Sequence, residues 1–401
     1  MTEKSIDITV FGATGFTGQL ISTYLASRSK ENSFRLGLAG RDPVRLEQLK
    51  SDLKKSGLLT DLISFHKVDI NQELELLSLA KKSKIMITTV GPYLQYGEPV
   101  VKACVEGFCH YLDLTGEGKF VETIFNKFNS TAKENKLKII TCAGFDSIPA
   151  DIGTLYTVSK LPADEPKIVR SYLSTHSEKW SDSFSGGTWH SALGFMKPDE
   201  LARIQNSYNT IQKYSKERII SHTGWMIHYR KDLKSFGIPL PFVDVEMVLK
   251  SAVNNPIYGP KFDYGHYAQV EGIFSAFVTL MGASALFSAA QIPFLKDKLL
   301  SFKKPGEGPD SKTRDSNSFE LKFMAESPTA TIFTSVSGGD PGYGETSKMI
   351  SESALALLFD EKNLPNHYGV ITPAMGLGMS IIPRLKKVGI KFETVEVIAN
   401  P

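Results

Sequence analysis

The run Gly12-Ala13-Thr14-Gly15-Phe16-Thr17-Gly18 constrains this chain more than any other feature. Before it, Ile6–Phe11 reads as a strand. After it, Gln19–Arg28 reads as a helix with Leu20, Ile21, Tyr24 and Leu25 on one face. In such a strand–turn–helix unit the first glycine allows a sharp turn, the second lets backbone approach a pyrophosphate, and the third lets the helix pack closely. The helix N-terminus then presents N–H groups and the positive end of its dipole to phosphate oxygens. The spacing is GxxGxxG rather than the GxGxxG of strict NAD dehydrogenases, so its meaning comes from the flanking strand and helix. The reading is a dinucleotide site whose turn is Gly12, Thr14, Gly15, Phe16, Thr17 and Gly18.

The same alternation continues downstream. Strands are predicted at Arg35–Ala39, Ile63–Val68, Lys84–Val90, His110–Leu114 and Lys138–Cys142. Helices are predicted after Asp42-Pro43 and over Leu74–Ala80, Pro99–Gly107 and Val121–Glu134. Strands separated by helices imply a parallel sheet covered on both faces. The expected fold class is therefore α/β: a Rossmann doubly wound parallel sheet, with a second α+β domain and a C-terminal segment returning to the first. With 401 residues the chain exceeds one ordinary core. Residues 1–150 are assigned to the nucleotide-binding domain and 151–340 to the second domain, with 341–401 returning at least in part to the first. Beyond Pro149 the pattern is mixed. Strands are predicted at Lys167–Thr175, Phe319–Ala325 and Phe392–Val397, helices at Leu201–Lys213 and Ser347–Phe359, and a loop at Lys303–Ser318.

Cofactor choice is read where the second strand ends. An acidic residue there binds the ribose 2′-hydroxyl, and an arginine accommodates a 2′-phosphate. Arg41 follows Ala39-Gly40 and favours NADP(H) over NAD(H), because its fork grips phosphate bidentately. Asp42, one step on, is free to cap the next helix instead. Asp69 follows the third strand; it serves either as acceptor for the adenine amino group or as a helix N-cap. Gly91 and Pro92 end the fourth strand at the ligand-bearing edge, where they are expected to line the nicotinamide ribose.

Composition excludes several classes. A net charge of +3 without a dense Lys/Arg stripe argues against nucleic acid. Three cysteines, Cys104, Cys109 and Cys142, make neither a disulfide framework nor a zinc cluster, so no metal is expected. No signal peptide or transit segment is read before the first strand, and the protein is expected to face the cytosol.

Several further segments carry a family resemblance: Gly91-Pro92-Tyr93 with Tyr96-Gly97-Glu98-Pro99-Val100, Asp113-Leu114-Thr115-Gly116-Glu117, Gly144-Phe145-Asp146-Ser147-Ile148-Pro149-Ala150-Asp151, Gly186-Gly187-Thr188-Trp189-His190-Ser191 and Gly369-Val370-Ile371-Thr372-Pro373-Ala374. With the Val10–Gly18 turn, they resemble the saccharopine dehydrogenase-like oxidoreductases, in their eukaryotic branch. The bacterial trans-acting enoyl reductases of complex lipid synthesis are a more distant branch. The resemblance spans nearly the whole chain. It implies a Rossmann domain, a second α+β domain and, for the eukaryotic branch, association with lipid droplets or membranes. It does not imply saccharopine as substrate.

Hydride transfer needs a positioned nicotinamide and often a proton donor. The catalytic candidates are Tyr93, His190 and Asp146, with His190 in a Ser/Gly-rich loop between Trp180 and Trp189. Asp113 and Glu117 either hold a substrate amine or ribose hydroxyls, or cap a helix from a turn. Asp146-Ser147 before Pro149 also reads as an interdomain hinge. An amino-acid dehydrogenase of saccharopine type would need a cationic carboxylate clamp; Arg203, Arg218 and Arg230 are its available members.

Residues 272–295 carry no charge and end beside Lys296 and Lys298. A spanning helix needs about 20 mostly apolar residues. Ser275, Thr279, Ser284, Ser288, Gln291 and Pro293 interrupt this one, so a buried helix or a hairpin dipping into a membrane surface competes with a span. The resulting expectation is an NADP(H)-dependent oxidoreductase with a hydrophobic or lipid-linked substrate at a membrane or lipid-droplet surface. A homodimer completes the expected partners. The rival is a non-catalytic scaffold or cofactor sensor that keeps the fold.

Overall fold

The protein is described from a computed structural model covering residues 4–177, 193, 198–214, 217–301 and 311–400. The chain divides into two compact units. One is Met1–Phe145 with Tyr343–Val388; the other is Asp146–Gly342 with Gly389–Pro401. The first boundary thus falls at Phe145/Asp146, ahead of Pro149, and the last residues belong to the second unit.

In the first unit, strands β1 (Ile6–Phe11), β2 (Leu36–Gly40), β3 (Ile63–Lys67), β4 (Ser83–Thr88), β5 (His110–Asp113) and β6 (Lys138–Ile140) alternate with helices α1 (Phe16–Asn32), α2 (Pro43–Lys55), α3 (Glu73–Lys82), α4 (Tyr93–Glu106) and α5 (Gly118–Glu134). Strand β14 (Gly369–Ile371; strands are numbered through the whole chain) completes a parallel seven-stranded sheet of order β14-β6-β5-β4-β1-β2-β3. Strand order reverses between β1 and β4, and that reversal opens a ligand crevice at the strands' carboxyl ends. The central strands are buried on both faces, so β2 and the Ile85-Met86-Ile87 stretch of β4 read as apolar runs, while β1 alternates and buries Asp7 and Thr9 as well. On α1 the buried positions include Gly18, Ser22, Ala26 and Ser29 with Ile21 and Leu25, so small side chains let the helix lie close. Tyr24, expected on that face, is half-buried; its hydroxyl donates to Glu352 Oε1 at 2.7 Å.

The sequence reading missed β14. Three residues are too short for a periodicity, and partners distant in the chain hold the segment. The Lys138 ammonium donates to the carbonyls of Pro365 (2.5 Å), His367 (3.0 Å) and Gly376 (3.2 Å). Burial lowers its pKa to about 8, so the carbonyls solvate a cation that water no longer reaches well. Helix α12 (Gly344–Phe359; helices are also numbered through the chain) brings the buried Glu352 to Arg28 and Arg384.

The second unit is a mixed eight-stranded sheet of order β15-β13-β12-β7-β11-β10-β9, with β8 also on β11. Its strands are β7 (Lys167–His176), β8 (Ile219–His222), β9 (His228–Arg230), β10 (Ser235–Pro239), β11 (Lys261–Glu271), β12 (Ser318–Glu326), β13 (Ala330–Gly338) and β15 (Lys391–Ala399). The final strand therefore lies in this sheet, where it pairs antiparallel with β13. Its helices are α6 (Gly153–Val158), α7 (Pro198–Tyr214), α8 (Val243–Asn254), α9 (Ile273–Ala290), α10 (Pro293–Ser301) and α11 (Ser311–Ser316). Part of the predicted 303–318 loop is thus helical over Ser311–Ser316, and residues 302–310 lie outside the described residues. Helix α8 is buried almost throughout, Asp244, Glu246 and Ser251 included, so its polar residues do not mark a solvent face.

Candidate functional site

The site is built where β1 turns into α1. Gly12 sits at φ 90°, and a side chain there would meet Thr89 Oγ1 at 2.6 Å. The Gly12 and Ala13 N–H groups both donate to the Ala39 carbonyl at 3.0 Å, which fastens the turn to β2. Thr89, just past β4, adds a brace that sequence reading missed: its hydroxyl donates to the Gly12 carbonyl at 3.0 Å. A Cβ on Gly18 would stand 2.0 Å from the Gly12 carbonyl oxygen, so the fold itself demands glycine there.

Gly15 differs. A Cβ there would find only the Gly12 carbonyl, at 3.4 Å, and its φ of −73° suits any residue. Nothing in the folded chain requires the side chain to be missing. Gly15 is the N-cap of α1, gives the helix no side-chain cap, and no acidic residue occupies the first turn. An uncapped helix start beside an open glycine is where a pyrophosphate is received. Thr14 is buried beneath the turn, Thr17 is half-exposed at the helix start, and the Phe16 ring packs edge-on against Tyr343 at 4.6 Å between centroids.

At the end of β2 the two neighbours separate in role. The Asp42 carboxylate accepts from Val44 N at 2.9 Å and Arg45 N at 3.3 Å, so it caps α2 with Pro43 behind it. Arg41 is exposed and has no ion pair or hydrogen bond among the described residues. A guanidinium left unengaged at this position suits a 2′-phosphate. Arg41→Ala should weaken NADPH at least tenfold in a fluorescence titration and leave NADH nearly unchanged; equal losses would remove Arg41 from the phosphate.

Asp69 turns out not to be the N-cap of α3, which is Gln72. One Asp69 oxygen instead accepts from Asn71 N (2.9 Å) and Asn71 Nδ2 (3.0 Å) in a local turn. Gly91 and Pro92 are exposed in the loop after β4.

Tyr93 is buried. Its hydroxyl donates to the Thr88 carbonyl at 3.1 Å and accepts from Leu114 N at 3.3 Å, so it braces backbone around the ends of β4 and β5. The two acids nearby also serve backbone. Glu117 receives Tyr93 N at 2.8 Å and Leu94 N at 2.9 Å, so it closes the start of α4, a helix other than the one it precedes. Asp113 is fully buried and accepts from Cys142 N (2.9 Å), Thr115 N (3.1 Å) and the Tyr111 hydroxyl (2.9 Å). Burial lifts its pKa to about 7, against the pull of those donors.

Asp146 opens the second unit. It is exposed to solvent, and loss of hydration to the protein around it shifts its carboxyl upward from the usual 3.8. His190, with Trp180 and Trp189, lies outside the described residues. The three arginines expected to be available for a carboxylate clamp are all employed in holding the second unit together. Arg203 pairs with the buried Glu246 at 2.7 Å and with Glu200 at 2.6 Å. Arg218 donates to the carbonyls of Ala252, Asn255 and Gly259. Arg230 pairs with Asp232 at 2.8 Å. Among the described residues no cluster of His, Cys, Asp or Glu is arranged to hold a metal.

Residues 8–183 match the saccharopine dehydrogenase NADP binding domain family. A human protein named saccharopine dehydrogenase-like oxidoreductase is 32% identical, covering 98% of both chains. The chain belongs to the saccharopine dehydrogenase-like oxidoreductases. The mouse member is 31% identical over 98% of both chains, and a trans-acting enoyl reductase of Mycobacterium ulcerans is 27% identical over 97% of each. The fold resembles apo saccharopine dehydrogenase (L-Glu forming) from Saccharomyces cerevisiae, with a TM-score of 0.56 at 13% identity, covering 98% of this chain and 100% of that one. The protein is therefore an oxidoreductase with NADP(H) as its cofactor. The open Gly15, the uncapped α1 and the unengaged Arg41 are the features of this chain that fit it.

Proposed function

We propose that this oxidoreductase reduces a hydrophobic or lipid-linked substrate while seated on a membrane or lipid-droplet surface. The observation that carries the reading is α9. Its large apolar side chains, Ile273, Phe274, Phe277, Val278 and Met281, repeat at helical spacing and face solvent, with Phe274 77% exposed, while only Ala276 and Ala290 are buried. Leaving such side chains in water forgoes roughly 1.5–3 kcal/mol each. A hydrocarbon surface recovers that free energy, and a patch of this kind marks a contact site.

Topology favours a surface contact over a span. Leu173 of β7 faces Ala268 of β11 on one side and Leu321 of β12 on the other, and His176 faces Ser318. Glu271, His176 and Ser318 therefore end one row of the sheet, so the excursion that begins at Gly272 leaves and returns about 10 Å apart. A single crossing would separate those ends by about 30 Å of hydrocarbon. Leu286 and Ala290 near the end of α9 pack with Leu193 and with Leu299 of α10.

The enoyl reductase name of the mycobacterial relative supports a polarised C=C as the reducible group. Bound NADPH supplies hydride; the chain's own task is to hold the substrate and deliver a proton. Asp146 is the candidate for the proton, an exposed carboxyl whose pKa is shifted upward, whereas the Tyr93 hydroxyl is engaged by backbone. The test is NADPH oxidation against enoyl and ketone lipids presented in vesicles. Turnover that falls in Phe274→Asp/Phe277→Asp, with NADPH affinity unchanged, supports the reading. NADPH binding with no turnover on any substrate would favour the cofactor sensor instead.

A further inference from the structure

The 2′-phosphate that suits Arg41 carries about −1.5 to −2 charge near neutrality, more than one guanidinium neutralises. The sheet register supplies a second cation. Lys67, the last residue of β3, lies opposite Gly40, which ends β2 and immediately precedes Arg41. Val68 N donates to the Gly40 carbonyl at 3.1 Å, so the end of β3 is fastened to the strand end from which Arg41 emerges. Neighbouring strands run about 4.8 Å apart. Arg41 and Lys67 therefore leave adjoining strand ends, close enough for two long side chains to meet one phosphate.

The sheet face agrees as well. Successive side chains of a strand alternate between faces, so residues two apart share one. The Lys50 ammonium of α2 lies 6.0 Å from the centre of the Phe65 ring, which places Phe65 on the α2 face of β3. Lys67, two residues on, leaves the same face at the end where α2 begins. A Cβ on Gly40 would also look toward Leu46 of α2, so the Gly40–Lys67 row lies under that helix. The acids around this row are engaged. Asp42 caps α2, and Glu47 pairs with Lys50 at 3.8 Å. Lys67 is exposed, and its ammonium has no ion pair or hydrogen bond among the described residues. We infer that Lys67 is the second cation of the 2′-phosphate seat and a specificity-determining residue beside Arg41. The guanidinium fork orients the phosphate, and the ammonium, a point charge, neutralises what remains.

The test separates the phosphate from the rest of the cofactor. Calorimetric titration of the full chain with 2′,5′-ADP and with 5′-AMP needs neither turnover nor a nicotinamide. Wild type is expected to prefer 2′,5′-ADP, and the preference should narrow as salt rises. Lys67→Ala should weaken 2′,5′-ADP and NADPH about fivefold or more, the loss of one charge-assisted contact, and leave 5′-AMP and NADH within about twofold. Lys67→Glu should weaken the two phosphate-bearing ligands further, and Lys67→Arg should keep most of the preference. The melting temperature should hold in all three, since Lys67 is exposed. A ratio of 2′,5′-ADP to 5′-AMP affinity that Lys67→Glu leaves unmoved overturns the inference, and so does an equal loss for both nucleotides. A ratio that collapses in Arg45→Ala and survives Lys67→Glu puts the second charge on α2 and overturns it too.

Discussion

Gly15→Ala is expected to abolish useful NADPH binding while the protein melts within a few degrees of wild type. The added methyl meets nothing closer than 3.4 Å in the folded chain, and the backbone there is in an ordinary extended conformation. Stability should change by less than about 1 kcal/mol, in keeping with surface substitutions. On the open side the methyl stands between backbone and the pyrophosphate, and affinity should fall at least a hundredfold. Gly18→Ala should behave differently. Its methyl would lie 2.0 Å from a backbone oxygen, so β1 and α1 must separate. Overpacking of a rigid contact costs about 1–3 kcal/mol or more, and both melting temperature and NADPH binding should suffer. Thermal melts and NADPH titration of the two variants check this. Wild-type affinity in Gly15→Ala would show that no phosphate approaches the turn.

Asp113 sets the second large effect. Its pKa rises from the usual 3.8 to about 7 because burial penalises the carboxylate. The folded chain therefore keeps a proton that the unfolded chain releases. That contribution is whole below pH 3.8 and disappears as pH rises through about 7, with an upper bound of roughly 4 kcal/mol. Asp113→Asn cannot titrate, yet its amide oxygen still accepts from Thr115 N and Cys142 N. It should match wild type within about 1 kcal/mol at pH 4.5 and exceed it by about 2–4 kcal/mol at pH 8. Asp113→Ala strands three buried donors and should cost about 3–5 kcal/mol at either pH. Denaturant melts at both values decide. A gap between wild type and Asp113→Asn that stays constant with pH would mean that Asp113 is ionised throughout.

Much of the first unit was legible because its signals are local. The apolar runs of β2 and β4, the Asp42-Pro43 helix start and the glycine turn each express their structure within a few residues. Side-chain employment was less legible. Asp42 and Arg41 are neighbours with opposite fates, and only the geometry of α2 shows that the carboxylate is spent on backbone. Glu117 was read as a substrate holder or the cap of its own helix, but it closes α4, because α4 starts against it in space. Arg203, Arg218 and Arg230 counted as available until their partners, some more than 30 residues away, came into view.

The sequence alone therefore determined the parallel sheet, the nucleotide turn and the preference for a 2′-phosphate. These depend on strand and helix periodicity and on backbone freedom at glycine, which short stretches of chain encode. Only the tertiary structure decided which charged groups are spent internally, that the last strand joins the second sheet, and that the large apolar side chains of Ile273–Met281 are exposed. An uncharged run has one composition whether a core or a lipid surface covers it. What separates the two is the set of neighbours that folding brings to it, and along Ile273–Met281 the large side chains face solvent.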